Sequence, residues 1–349
     1  MKLEAHVLRE GDAYKWDSGK ITVGTGAKIE IGITTGDKFV QVQPAVVTTS
    51  ADKMDISFYK DCTYTGGTQI ENPQNKNHLS SKQAQLKAYL SPTVTYDIAA
   101  AQAGGGFGNQ PAGGGLEILS DDEADKTQTV TVYGTTTAAT TTVTSETITL
   151  KGTTAVATTE VTWQNILGIE VSADHAGTIT VRDVSGSATV IALATGTNSA
   201  GIATLTLENA YGSIPLHDCS GTSTAPVGII GYTEDGTVIS SVDDLNGKTE
   251  EDHGTVAFWA VSKVLIGAVA ADRNVTVLSQ RPGTRFSYAY IPGATGVGGT
   301  KSGAYYGGSS DKFILKPGTK YIMRFDNGSS ESGGNIITTS LLFNELSEI

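Results

Sequence analysis

Apolar and polar residues alternate with a period of two in run after run of this chain. Lys38-Phe39-Val40-Gln41-Val42-Gln43 and Met54-Asp55-Ile56-Ser57-Phe58-Tyr59 are early examples. Thr129-Val130-Thr131-Val132-Tyr133, Glu146-Thr147-Ile148-Thr149-Leu150 and Thr178-Ile179-Thr180-Val181-Arg182 follow. Near the end, Lys320-Tyr321-Ile322-Met323-Arg324-Phe325 leads into the turn signal Asp326-Asn327-Gly328. Successive strand side chains point to opposite faces, so the pattern predicts strands with one face on a core and the other in water. Helical periodicity is nearly absent. Ser81 to Leu90 reads equally as a helix or a strand.

Composition sharpens this all-β expectation. The 42 glycines and the abundance of Thr and Val suit many short strands joined by tight turns. Acidic residues outnumber basic ones, 36 to 24, for a net charge of −12, and no Lys/Arg cluster stands out. That balance argues against nucleic-acid binding, which needs cations to neutralise phosphates. The longest uncharged apolar run, Val264 to Ala271, is far short of a membrane span. Met1–His6 lacks the apolar stretch of a secretory signal, so synthesis in a host cytoplasm without membrane insertion is expected. Cys62 and Cys219 stand far apart and outside any C-x-x-C spacing, which reads as two idle thiols rather than a disulfide.

Glycine triplets at 104–106 and 113–115, followed by the acidic run Asp121-Asp122-Glu123-Ala124-Asp125, read as a linker over 99–126. Beyond it lies an internal repeat. Val132-Tyr133-Gly134 resembles Ile229-Ile230-Gly231, and Leu150-Lys151-Gly152 resembles Leu245-Asn246-Gly247. Val161-Thr162-Trp163 resembles Ala257-Phe258-Trp259, and Ile179-Thr180-Val181 resembles Val275-Thr276-Val277. The offsets of 97, 95, 96 and 96 residues point to two related β-sandwich modules, 127–217 and 224–281. Residues 282–349 are too short to fold alone, so they are expected to join 1–98 in one discontinuous base domain that carries the modules as an insertion.

No segment completes a chemical motif. Gly296-Val297-Gly298-Gly299-Thr300-Lys301-Ser302 lacks the glycines a phosphate loop requires. In Gly196–Gly201 the serine falls one residue late for a nucleophile elbow. The histidines at 6, 78, 175, 217 and 253 are scattered in polar or turn contexts and read as exposed loop residues. His217-Asp218-Cys219 has no partner to complete a metal site. Asp121–Asp125 and Asp243–Asp252 could attract calcium, with solvated turns the simpler reading. Trp163 and Trp259 occupy matching repeat positions and are expected in the core rather than on a sugar-stacking platform. Catalytic, cofactor and metal residues are therefore expected to be none.

A resemblance adds to this. Tyr64-Thr65-Gly66-Gly67-Thr68, Asn75-Lys76-Asn77 with Ser80-Ser81, and Tyr89 with Ser91-Pro92-Thr93-Val94-Thr95 form its first half. Ile291-Pro292-Gly293, Gly307-Gly308 and the stretch from Phe313 through Lys316-Pro317-Gly318-Thr319 to Phe325 form its second. In this order they resemble small tailed-phage virion proteins encoded near capsid genes. Ser145-Glu146-Thr147-Ile148-Thr149-Leu150-Lys151-Gly152-Thr153-Thr154-Ala155-Val156 resembles Ig-like modules of phage structural proteins. The resemblance implies a jelly-roll-like base, trimeric and seated on the capsid lattice, carrying projecting Ig-like modules. The major capsid protein would be its partner and the outer capsid surface of the virion its location, as a decoration or head-fibre protein. The alternative is a tail-associated or receptor-binding virion protein whose modules touch a host-surface glycan. A bacterial surface module and a glycan hydrolase are the remaining readings, the first disfavoured by the missing export signal.

Overall fold

The computed structural model describes residues 12–24, 26–48, 54–70, 73–77, 79–186, 188–247, 249–291, 305–306, 312–327 and 335–346, and these contain strands but no helix. The chain opens with four strands, β1 (Ala13–Val23), β2 (Lys28–Thr34), β3 (Phe39–Thr48) and β4 (Met54–Lys60). Five short ones follow: β5 (Tyr64–Thr65), β6 (Thr68–Gln69), β7 (Gln74–Asn75), β8 (Lys87–Leu90) and β9 (Thr93–Val94). Next come β10 (Asp97–Ala103), β11 (Leu116–Ser120), β12 (Thr129–Thr136), β13 (Thr144–Thr149), β14 (Val156–Ala157), β15 (Trp163–Val171), β16 (Ile179–Asp183), β17 (Thr189–Leu193) and β18 (Ser199–Ala200). The run continues through β19 (Ile202–Ser213), β20 (Leu216–Cys219), β21 (Pro226–Tyr232), β22 (Val238–Asp244), β23 (Glu251–Asp252), β24 (Phe258–Leu265) and β25 (Asn274–Leu278). It ends with β26 (Thr284–Ile291), β27 (Tyr305–Tyr306), β28 (Phe313–Leu315), β29 (Lys320–Asp326) and β30 (Asn335–Leu346). Of the segment that could have been a helix, Lys87–Leu90 is a strand.

The contacts divide the chain into two compact units, Met1–Thr95 with Pro282–Ile349, and Tyr96–Arg281. The first unit is built on two sheets, ordered β27-β3-β30-β1-β7, with β28 also on β3, and β26-β4-β29-β2-β8-β6. Between them lie Tyr14, Trp16, Ile31, Ile56, Met323, Phe325 and Phe343, all buried. Alternation explains this inner face: Ile31 and Ile33 of β2 turn the same way, as do Met323 and Phe325 of β29.

The outer face of the second sheet does not meet water as the alternation suggests. The excursion carrying β5 and β9 covers it, burying Tyr59, Cys62, Tyr64 and Ile322 in a cluster of their own. Gly32 makes room, since a Cβ there would lie 2.7 Å from the Tyr64 ring. The Tyr64 hydroxyl meets Thr34 Oγ1 at 2.7 Å, and Lys320 Nζ donates to the Tyr64 carbonyl at 2.8 Å. Arg324, which alternation would put in water, is 6% exposed. It donates to Glu30 Oε1 at 2.8 Å and lies 5.0 Å over the Tyr59 ring.

The second unit holds two eight-stranded sets. One has the sheets β14-β11-β16-β17 and β13-β12-β15-β18 around Leu116, Ile118, Val132, Trp163, Ile166 and Val181. The other has β10-β25-β20-β23 and β19-β24-β21-β22 around Val227, Ile229, Phe258, Val261, Val275 and Val277. Each strand of one set has a counterpart in the other. β12 and β21 both shift register at a glycine, Gly134 opposite Ile166 and Gly231 opposite Val261.

These sets correct the boundaries expected at 99–126, 127–217 and 224–281. β11 and most of β10 lie in the supposed linker, and β19 and β20 pair with β24 and β25 of the later set. Nor are the glycines at 104–106 spacers. Five successive amides, Gly104 to Gly108, donate to the carbonyls of Arg273, Ile266, Val269, Gly267 and Val190 at 2.8–2.9 Å. A Cβ on Gly104 would lie 2.4 Å from the Ala270 carbonyl oxygen, and one on Gly105 2.7 Å from Gly267 Cα. Glycine is needed there because two backbones touch.

The two sets also pack on one another. Leu167, Val242 and Leu265 are buried together, with Tyr133, Val143, Ile202 and Ile230 around them. Val242 N donates to Thr141 O at 2.8 Å, and Lys263 Nζ donates both to Tyr133 Oη at 2.9 Å and to Glu170 Oε2.

Candidate functional site

Three of the five histidines are described, and all are buried rather than in exposed loops: His175 is 4% exposed, and His217 and His253 are 0%. None of the three hydrogen-bonds to a hydroxyl or a thiol side chain. His6, His78 and the whole of Gly296–Ser302 lie outside the described residues. Polar flanks make the histidines look exposed; each is instead buried with its ring nitrogens on carbonyl, carboxylate or imidazole partners.

His175 and the acidic run 121–125 form one such site. Asp125, 1% exposed, accepts from Ser120 Oγ at 2.6 Å, Ala176 N at 2.9 Å and Gly177 N at 3.0 Å. Burial pushes this carboxyl up, but those donors and the adjacent His175 outweigh it and hold it below the usual carboxylate range. The His175 ring presents Nδ1 to the Gly177 carbonyl at 2.6 Å and Nε2 to the Thr197 carbonyl at 3.1 Å. Asp121 Oδ1 accepts from Thr178 N at 2.6 Å. The run thus pins the turn before β16 through its own hydrogen bonds. Among the described residues, no three His, Cys, Asp or Glu side chains converge as metal ligands.

His217 on β20 and His253 just beyond β23 form a second buried site. Their Nδ1 atoms are 2.8 Å apart, with the rings nearly perpendicular at 81°. His253 Nε2 lies 3.3 Å from the Ser241 carbonyl, and His217 Nε2 lies 3.5 Å from Glu251 Oε1. Burial first, and His217 second, push His253 down to about 4. Nearby, Asp243 Oδ2 accepts from Gly254 N at 2.8 Å, and burial with the neighbouring Asp243 raises Asp244.

The aromatic pair expected in the core divides. Trp163 is fully buried, with its ring 3.1 Å from where a Gly134 Cβ would stand. The residue in the matching place over Gly231 is Phe258, also fully buried. Trp259 is half-buried and corrects the expectation. The local offset is 95 residues rather than 96, and one residue of slip on a strand turns a side chain to the other face. Both cysteines are buried and free, and burial pushes the Cys62 thiol up to about 12, which leaves it inert at neutral pH.

In the first unit, a pocket of about 370 Å³ opens on the sheet that contains β1, β3 and β30. Gln41, Gln43, Asn344, Lys76 and Lys312 supply its polar lining, while Tyr14 and Phe343, which also border it, are buried in the core, where their rings stack at 5.4 Å. Amides and ammonium groups lining a concavity can hold a hydroxyl-rich or anionic ligand. Nothing in the linear sequence marks this pocket, because β3 and β30 meet across some 300 residues.

No family model matches the chain, and no curated protein matches it. Among solved structures, it aligns with that of the infectious bursal disease virus Gt strain at 9% identity and TM-score 0.11, covering 90% of this chain and 83% of that one. It aligns with the crystal structure of the infectious bursal disease virus VP2 subviral particle at 8% identity and TM-score 0.11, covering 90% and 82%. Scores this low carry no argument about fold or function.

Proposed function

We propose that this chain is a non-enzymatic structural protein of a tailed-phage virion, a decoration or head-fibre protein that binds the outer capsid surface. The observation that carries the proposal is one strand order used three times. Number β1, β2, β3, β4, β26, β28, β29 and β30 from one to eight. The core of the first unit then reads one-eight-three-six in one sheet and two-seven-four-five in the other. The set β10, β19, β20, β21, β22, β23, β24 and β25 reads the same way. So does the remaining set, once β17 and β18 are counted before β11–β16. That is the order of a jelly roll, an architecture of viral capsid domains and of lectins. An immunoglobulin sandwich would instead pair the first two strands of one sheet. Here β11 pairs with β14 and β16, so we read the inserted sets as jelly rolls in place of Ig-like modules.

A protein of this kind acts by burying surface. Its partner is the major capsid protein, and a homotrimer multiplies each weak contact through avidity. The test mixes purified protein with undecorated capsids, with and without chelator, and compares the full chain with a deletion of 96–281 by sedimentation. Saturable binding by both, indifferent to chelator, supports the reading; binding by neither overturns it. Light scattering of the free protein reports whether it is a trimer.

A second reading, a tail-associated or glycan-binding virion protein, is favoured by the pocket lined by Gln41, Gln43 and Asn344. Retention on host glycans that Gln41→Ala abolishes would select it.

A further inference from the structure

The two eight-stranded sets of the second unit differ at two neighbouring buried positions in a way the fold does not require. In the first set, Ile118 of β11 faces Val156 and Val181 across its ladders, and Thr158 follows two residues after Val156. In the second set the same places hold His217, facing Glu251 and Val277, and His253. Ile118 is fully buried and Thr158 is 6% exposed. An aliphatic and a hydroxyl therefore fill these two positions adequately, and a pair of buried imidazoles is a departure that calls for its own cause.

Hydrogen bonding fixes the protons. The Ser241 carbonyl can only accept, so His253 carries its proton on Nε2 and leaves Nδ1 as a lone pair. His217 Nδ1–H must then donate to it across the 2.8 Å contact. His217 Nε2 faces the Glu251 carboxylate at 3.5 Å. A proton on His253 Nδ1 would set two N–H groups against each other unless His217 moved its own to Nε2, and in either case it places a charge on a ring that is 0% exposed. The charged groups facing the pair are Glu251 on β23 and Asp243 near the end of β22, the second drawing a proton weakly toward His253. β25, on the other side of β20, contributes Val277 and Leu278 and no charge.

The segment the pair holds is short, and it is also tied by Gln280 Nε2 donating to Asp252, Asn246 Nδ2 to Glu251 and Gly254 N to Asp243. β23 joins β20 through only two residue pairs, Leu216 with Asp252 and His217 with Glu251, extended by His253 N donating to Pro215 O at 2.8 Å. We propose that His217 and His253 form an acid-operated latch, which clamps the edge segment 249–254 to the sandwich at neutral pH and releases it when His253 takes a proton.

The sign follows from linkage. His253 is depressed to about 4 in the closed state and regains the ordinary histidine value of 6.5 when released. The closed state is thus fully favoured above pH 6.5 and loses ground as pH falls from there to about 4. At about pH 4.5 the closed-to-open ratio should have dropped on the order of 50-fold.

Hydrogen exchange by mass spectrometry on the full chain, at about pH 7.5 and about pH 4.5 and corrected for intrinsic exchange, tests this. Exchange across 249–256 should rise by that order, while 163–171 in the other set stays protected. His253→Gln, or His217→Ile with His253→Thr after the other set, should abolish the rise. An unchanged wild type, or a variant that opens equally in acid, overturns the latch. Should neither variant fold, exchange at the His253 ring C2 position decides: a midpoint near 4 supports the latch, and one near 6.5 overturns it.

Discussion

Gly134 and Gly231 show how far a single residue shapes this protein. A Cβ at either would lie 2.3 or 2.2 Å from the backbone oxygen of Asn165 or Ala260, so each strand must carry glycine where it bulges. Trp163 and Phe258 then fill the space over the missing side chains. Trp163→Ala is expected to destabilise the second unit by about 3–5 kcal/mol, the usual loss for a fully buried large aromatic. Trp259→Ala, at a half-buried position, should cost about 1 kcal/mol or less. Denaturant midpoints followed by circular dichroism check both, and equal losses would mean that Trp259 shares the core. The repeat that pairs these residues is legible from Val132-Tyr133-Gly134 and its partner. The slip that sends Trp259 outward is not, because a register shift leaves no mark in composition. The histidines mislead for a related reason. Polar flanks suggest water, whereas His217 takes the place of a buried isoleucine.

At the scale of elements, alternation locates most strands, and its failures have one cause. The pattern of Lys320–Phe325 describes a half-wet strand, yet Ile322 and Arg324 are buried by Tyr64 and Tyr59, which arrive from a distant part of the chain. The composition of residues 104–108 describes a flexible spacer, yet every amide in the run donates to a backbone carbonyl. Glycine serves both for freedom and for close approach, and only the neighbouring backbone distinguishes the two. The amides of 104–108 should accordingly exchange as slowly as those of β15 in the intact protein, read by hydrogen exchange at neutral pH. Complete exchange within seconds would restore the linker.

The whole molecule depends on strands from its two ends finding each other. β30 lies between β1 and β3, and β29 lies between β2 and β4, so the centre of both sheets in the first unit comes from the last segment of the chain. A fragment ending at residue 95 would keep β1, β2, β3 and β4 without the strands that join them, and its apolar faces would have no partner. It should therefore show no cooperative thermal transition. Joining 1–95 to 282–349 through a short Gly/Ser linker restores β29 and β30, together with β26 on β4. It also brings Met323, Phe325, Leu341 and Phe343 back to Tyr14, Ile31 and Ile56. That joined chain is expected to unfold in a single cooperative transition seen alike by calorimetry and circular dichroism. The excised 96–281 segment, which keeps all sixteen strands of its own two sets, should do the same. A joined chain that aggregates or melts without cooperativity would mean that the ends fold only when the insertion is present. The strand order shared by the three sets would then record their common build without making the first unit independent.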